Sequence, residues 1–418
     1  MRDTLELHVA MWRNLVNAAG LLLIAYASLN ISGMIEMATG VEGAISSVVL
    51  LCSALVIVGC VNRHLASPVY IWFVIFLVAY LFGGIGVLAF GGTVAAGHIV
   101  GYFGTLIFST ALYLYFTQRG ENGISTMLRF IQIAFVIDCI AALNTAFLSE
   151  YFLYVGSLER ATGVFNNPNE TAIMALYLIV LAITGQARSH LWTAFQIVLA
   201  VTVLLSTFSK TGMLALPLLG AAYLIKRRAF FALLVLTALA ALALPVAFSF
   251  VQNNPFGLLP EQLLRVEQVL SIFSGDVDDK ATTGRLGLWE LGLRRIDATF
   301  PFGSGIGSMH RMEGGYIGTD GDWLGVHNTY LMVLGEAGLV PFVLLLVFLA
   351  VLGIGCLVSP HSTRCVGIGL VMVVDMMVVH GAFANRMSNL MLVAAMALVA
   401  VSTEARPRSV PVGTAVDT

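Results

Sequence analysis

The sequence predicts an all-α, polytopic helical membrane protein of about 12 transmembrane helices, with one large extracytoplasmic loop that carries amphipathic helices. Three observations lead there. The chain is 59% apolar and 11% charged, against about 25% charged in a soluble globular domain. Its mean hydropathy is +0.92. Apolar runs of about 20 residues recur from end to end, long enough to cross hydrocarbon as helices. Backbone polar groups find no water in a bilayer core, so such runs form helices or closed barrels. Barrel strands alternate apolar and polar residues, and these runs do not.

Taken in order, the predicted spans lie near 14–31, 43–61, 69–91, 97–116, 128–148, 169–185, 191–207, 211–225, 229–250, 327–357, 364–382 and 387–403. The run 211–225 is short for about 30 Å of hydrocarbon, and 327–357 is longer than one span needs. Residues 251–326 form the one long polar segment, and the whole of 1–418 reads as a single integral membrane domain. Within the loop, Leu259–Ser274 and Thr283–Thr299 have helical periodicity and read as amphipathic helices on the membrane face, with Trp289 suited to the interface. Pro301-Phe302-Gly303-Ser304-Gly305-Ile306-Gly307 is too rich in glycine to be regular. No internal repeat is visible.

Even span numbers put both termini on one side. Twelve Lys/Arg residues fall on that side and only Arg160, Lys210 and Arg386 on the short segments opposite. The positive-inside rule therefore predicts cytoplasmic termini and an extracytoplasmic loop. Cys52, Cys60, Cys139, Cys356 and Cys365 all fall in or beside apolar runs, which makes neither a disulfide framework nor a metal pattern. The first run lacks an A-x-A cleavage site and reads as a retained helix. A net charge of −2 argues neither way on nucleic acid, and no nucleic-acid partner is expected.

The chemistry-bearing residues gather at one face. Arg160, Lys210 and Arg386 stand at helix ends on the side where basic residues are least expected. Snorkelling to headgroups accounts for any one of them; three together, beside an arginine-rich loop, favour an anion site. His327 opens the tenth span, where the positive end of a helix disfavours imidazolium and keeps the ring able to take a proton. The plain alternative is a histidine that anchors the helix at the interface. Asn328 can cap the helix or partner the ring. Glu336 lies nine residues deeper on the same face, as a functional carboxylate or a helix-packing one.

Asn167-Pro168-Asn169 starts a helix. Ser209-Lys210-Thr211-Gly212 resembles a backbone nest for an oxyanion, or a tight interhelical turn with a snorkelling lysine. Arg285 and Arg265 offer guanidinium forks suited to a diphosphate, whereas Arg294 and Arg295 read as facing water or lipid. Asp276-Val277-Asp278 imitates an Asp-x-Asp metal motif, but two carboxylates in a polar turn are ordinary and no metal or cofactor is expected. His98, His310 and His380 lie at or near the same face; His380, Asn385 and Arg386 make a second polar group.

These motifs, in order, carry a resemblance. Arg160, Gly163-x-Phe165-x-Asn167-Pro168-Asn169, Ser209-Lys210-Thr211-Gly212 and Gly284-Arg285-x-x-x-Trp289 are its first part. Pro301-x-Gly303-x-Gly305-x-Gly307 and His327-Asn328-x-Tyr330-Leu331-x-x-x-Gly335-Glu336-x-Gly338 complete it. Over roughly 155 to 345 the chain resembles the O-antigen ligase and polymerase superfamily of bacterial envelopes.

The resemblance implies a metal-independent, inverting glycosyltransferase of the C-type fold, working at the periplasmic face of the inner membrane. Its donor would be an undecaprenyl diphosphate-linked glycan, and its acceptor a hydroxyl of lipid A–core or of another glycan. Carried over, Arg160, Lys210, Arg285 and Arg265 would hold the diphosphate. Arg285 and His327 would be catalytic, His327 accepting or orienting the hydroxyl proton. Asn169, Ser209, Asn328, Glu336 and Arg386 would support them. The family often has arginine where this chain has Lys210, which keeps the charge and loses the bidentate fork.

Ligase and repeat-unit polymerase predict the same residues; the ligase is favoured slightly, with transfer to protein hydroxyls third. A transporter would place ionisable groups at the bilayer midplane on broken helices. Here, of the carboxylates, only Asp138, Glu336 and Asp375 lie well inside spans.

Overall fold

The computed structural model describes residues 2–41, 45–147, 160–165, 167–185, 189–255, 257–274, 285–310, 325–379 and 381–404. The Asp276-Val277-Asp278 turn and His380 lie outside them, as does the side chain of Arg285. Every regular element among the described residues is helical: α1 (Arg2–Ser28), α2 (Ile31–Thr39), α3 (Ser46–Cys60), α4 (Pro68–Gly86), α5 (Ala96–Gln118), α6 (Gly120–Phe147), α7 (Pro168–Thr184) and α8 (His190–Ser206). There follow α9 (Lys210–Lys226), α10 (Phe230–Asn253), α11 (Pro260–Ser274), α12 (Arg285–Thr299), α13 (Thr329–Ala337), α14 (Leu339–Val358), α15 (Ser362–Val378) and α16 (Arg386–Glu404).

Each of the twelve predicted spans coincides with helix, and the two amphipathic loop helices are α11 and α12. Among the described residues, five helical stretches are both long and apolar enough to cross a bilayer unaided, within α1, α4 with the turn that follows it, α5, α6 and α14. The protein is an all-α polytopic membrane protein. Leu234, Leu236, Leu239, Leu242 and Val246 of α10 are exposed. In water such a surface is costly; in a bilayer it is the lipid-facing side.

The centre of the molecule is made by α7 and α16. Thr171–Ala182 of α7 and Met387–Ala400 of α16 are buried without interruption, a helix apolar all round being the kind that sits inside a bundle. Side chains close the helix starts as their types predict. Asn167 accepts from Asn169 N–H at 2.9 Å, with Pro168 in the first turn. Ser209 accepts from Gly212 N–H at 3.4 Å, and Asn328 from Leu331 N–H at 3.0 Å. All three caps belong to motifs singled out in the sequence.

Two readings need correction. A short helix, α2, follows α1 where none was expected. The long span 327–357 is two helices, broken at Gly338, whose φ is 83° and ψ −168°. The last carbonyls of a helix lack intrahelical donors, and here the glycine-rich segment supplies them. Ser304 N–H donates to Gly335 O at 2.7 Å and Gly305 N–H to Glu336 O at 2.9 Å, while Leu339 N–H reaches Pro301 O at 2.8 Å. On its other side the segment pairs with the turn before α5, Thr93 N–H to Ser304 O and Ala95 N–H to Ile306 O at 2.9 Å. A Cβ on Gly305, whose φ is 103°, would collide with Thr93 O. The glycines are there because backbone runs on both sides of them.

Candidate active site

The glycine-rich segment places a polar group that the sequence left scattered. Glu336, fully buried, accepts Gly307 N–H at 3.0 Å and Met309 N–H at 3.2 Å through one oxygen. The Tyr80 hydroxyl donates to the other. Glu336 therefore ties α13, α4 and the loop together. Of its two sequence readings, packing is the one these contacts describe. Tyr80 and Tyr102 pack edge to face with centroids 5.0 Å apart.

His310, at the end of the same segment, stacks on His98 of α5 with centroids 4.2 Å apart. Its Nε2 lies 3.9 Å from a Glu336 oxygen. Burial pushes His310 down to about 4, with the neighbouring His98 and His327 adding to it, so its ring is neutral near pH 7. His327 stands two residues ahead of α13, half-buried, with φ 43°. Val326 N–H, just before it, donates to Met309 O at 3.1 Å. Three histidines from three chain segments thus gather around His310 through the fold.

Just after His327, the Thr329 hydroxyl donates to Val379 O at 2.8 Å and accepts Ala382 N–H at 3.1 Å. This fastens α13 to the turn that carries Asn385 and Arg386. Glu170, in the first turn of α7, faces Asn385 and Arg386. The Arg386 guanidinium also lies over the Tyr26 ring, 4.8 Å from its centroid.

Beside Glu170, Asn169 Oδ1 accepts the Ser209 hydroxyl at 2.9 Å. Lys210 Nζ donates to Gln268 Oε1 of α11 at 2.8 Å. Arg160 Nε donates to Thr207 O at 2.7 Å, and Ala161 N–H to Ser206 O at 3.0 Å. A chain of hydrogen bonds and sequence neighbours therefore runs from Thr329, two residues after His327, through Val379, Ala382 and the start of α7 to Ser209 and its neighbour Lys210, while Arg160 bonds Thr207 close by. Arg265 is half-buried on α11, three residues from Gln268.

Helix α12 packs against α13. A Cβ on Gly292 would lie 2.9 Å from Val326 Cγ2. Arg285 begins this helix two turns earlier, roughly 10 Å along its axis. Arg294 is exposed and pairs with Glu290 at 3.6 Å, as expected. Arg295 departs from its sequence reading: it is half-buried, and its Nε donates to Ser304 Oγ at 3.3 Å. It lines a cleft of about 350 Å³ with Thr93, Thr299 and Ser304. Arg295, His310, His98, Tyr80, Glu170 and Gln268 join the site by contact. The sequence places His98 and His310 near this face, and it marks the glycine-rich segment that gathers several of these residues; Tyr80 and Gln268 carry no signal in it.

The fold is that of a polytopic helical membrane protein, and its candidate site gathers cationic and histidine side chains from several helices. Residues 195–346 match the family described as O-antigen ligase. The match supports the O-antigen ligase superfamily for this chain, over about a third of its 418 residues. It runs from within α8 to within α14 and so takes in Ser209, Lys210, Arg265, Arg285, His327 and Glu336. Arg160, Asn169 and Arg386 lie outside it and reach the site through the fold. No curated protein matches the chain. The family supports a glycosyltransferase of ligase or polymerase type.

Proposed function

We propose that this protein transfers a glycan from undecaprenyl diphosphate to an acceptor hydroxyl, at the periplasmic face of the bacterial inner membrane, with both termini cytoplasmic. The observation that carries the proposal is the chain of bonds and sequence neighbours from Thr329, beside His327, to Ser209 and Lys210, with Arg160 bonded to Thr207 close by, within and beside the family segment.

The chemistry follows from the groups. The acceptor oxygen attacks the anomeric carbon while its bond to the diphosphate breaks, so negative charge moves onto the diphosphate. Arg160, Lys210, Arg265 and Arg285 hold that charge, which is where preformed cations are worth most. His327 takes the proton of the attacking hydroxyl. Its neighbour His310 is neutral near pH 7, so the wall around His327 competes little for that proton. Attack opposite the leaving diphosphate inverts the centre, and the mechanism calls on no metal or cofactor.

The acceptor we favour is lipid A–core, which makes the protein a ligase. A repeat-unit polymerase uses the same site with a glycan acceptor. Deletion of the gene and gel analysis of the envelope polysaccharide separate the two. Long polymer stranded on the lipid carrier above bare lipid A–core supports the ligase. Single repeat units on lipid A–core support the polymerase. An unchanged polysaccharide profile overturns both.

A further inference from the structure

At the far ends of the helices that carry the site lies a second basic group. Helix α7 runs from Asn169 and Glu170 to Thr184, a rise of roughly 25 Å. Helices α9 and α15 make the same passage, from Lys210 to Arg227 and from the 379–386 turn back to Arg364. A cavity of about 520 Å³ opens there, lined by Arg129, Arg227 and Arg364 with Gln132, Gln196 and Trp192.

Among the described residues no carboxylate lines this cavity. Glu121 is paired with the lining residue His361 at 2.8 Å. Arg364 is held from one side, donating to Thr184 Oγ1 at 3.2 Å and to Thr184 O at 2.7 Å. Gln196 is fully buried. Its Oε1 accepts Gln132 Nε2 at 2.7 Å, yet its own Nε2 has no acceptor among the described residues. A buried amide N–H without an acceptor is costly, and three guanidinium groups around one cavity repel one another. One anionic ligand with several acceptor oxygens relieves both.

A second cavity of about 220 Å³ adjoins the first, sharing Ile183, Thr184 and Thr363 with it. Its walls are almost wholly hydrocarbon, from Val201, Leu216, Leu219, Val366 and Leu370. Gly220 also lines it, and a Cβ there would meet nothing within 4 Å. A polar, cationic chamber joined to an apolar slot within a bundle has the shape and chemistry of a lipid.

We propose that this paired cavity, on the membrane face opposite the His327 site, binds an anionic phospholipid. The phosphate sits among Arg129, Arg227 and Arg364 and takes the Gln196 N–H, and an acyl chain fills the slot beside Gly220. The site is independent of the transfer chemistry and stands whichever acceptor the protein uses.

The test uses the full-length protein in phosphatidylcholine nanodiscs, with phosphatidylglycerol as the lipid probe and inorganic phosphate as the soluble one. Native mass spectrometry is expected to show phosphatidylglycerol retained over phosphatidylcholine. Retention should fall about tenfold in Arg129→Gln/Arg227→Gln, as loss of charge-assisted contacts requires. Both of those side chains are exposed, so this variant should fold. Gly220→Leu fills the slot and should lower phosphatidylglycerol retention at unchanged thermal midpoint. Retention unchanged in both variants overturns the site. If inorganic phosphate binds equally to wild type and Gly220→Leu while the lipid is not retained, the occupant is a soluble anion and the lipid assignment is overturned.

Discussion

The most consequential residue is His327, which the fold seats beside two other histidines rather than alone at a helix end. As the base, it should contribute about 10²–10⁴ in rate. His327→Ala is therefore expected to lower transfer by that factor with expression and donor binding retained. Normal turnover in a reconstituted assay would remove it from the mechanism. His310 makes a separate prediction. Its folded value lies near 4, below the ordinary 6.5, so the unfolded chain takes up a proton first as pH falls. Stability should be full above about pH 6.5 and decline towards pH 4, by up to about 3 kcal/mol for this one group. Thermal midpoints across that window, compared with His310→Gln, would show a flatter curve in the variant; parallel curves would refute the assignment.

At the scale of elements, the break between α13 and α14 is what makes room for the site. The segment 301–310 lies between the turn before α5 and the end of α13, bonded to both. Gly305→Ala should expel it, since the added carbon meets Thr93 O at a φ of 103°. Activity and thermal midpoint should both fall, while Gly104→Ala on α5, which meets nothing within 4 Å, should leave both unchanged. Equal behaviour of the two variants would show that the segment tolerates displacement. Glu336→Ala would strand two buried N–H groups and the Tyr80 hydroxyl, at about 1–3 kcal/mol each, and Glu336→Gln should restore part of that loss in a thermal-unfolding series.

For the whole molecule, the fold runs three helices from one polar face to another. The five cysteines are all buried, so a single introduced thiol can report which face is outside. Glu290→Cys, on the exposed side of α12, should be labelled by a membrane-impermeant maleimide added to spheroplasts. Arg227→Cys should react only after the membrane is opened. The reverse pattern would invert the topology and move the site away from the periplasm.

Composition and periodicity alone determined the helical membrane architecture, the positions of the spans and the two amphipathic loop helices. They did so because a bilayer leaves the backbone no other way to satisfy its hydrogen bonds. The helix start at Asn167 and the cap at Asn328 were legible for a similar reason: they act within four residues. What the tertiary structure decided is everything that depends on distance in the chain. Glu336 reads as an isolated intramembrane carboxylate until Gly307, Met309 and Tyr80 are seen around it. Arg295 reads as a solvent-facing charge until Ser304 meets it. The basic cavity at the opposite face draws on five helices, α6, α7, α8, α9 and α15, that no local pattern connects. Local rules specify helices and their caps, but a site is a meeting of side chains from separate helices, and only packing sets which ones meet.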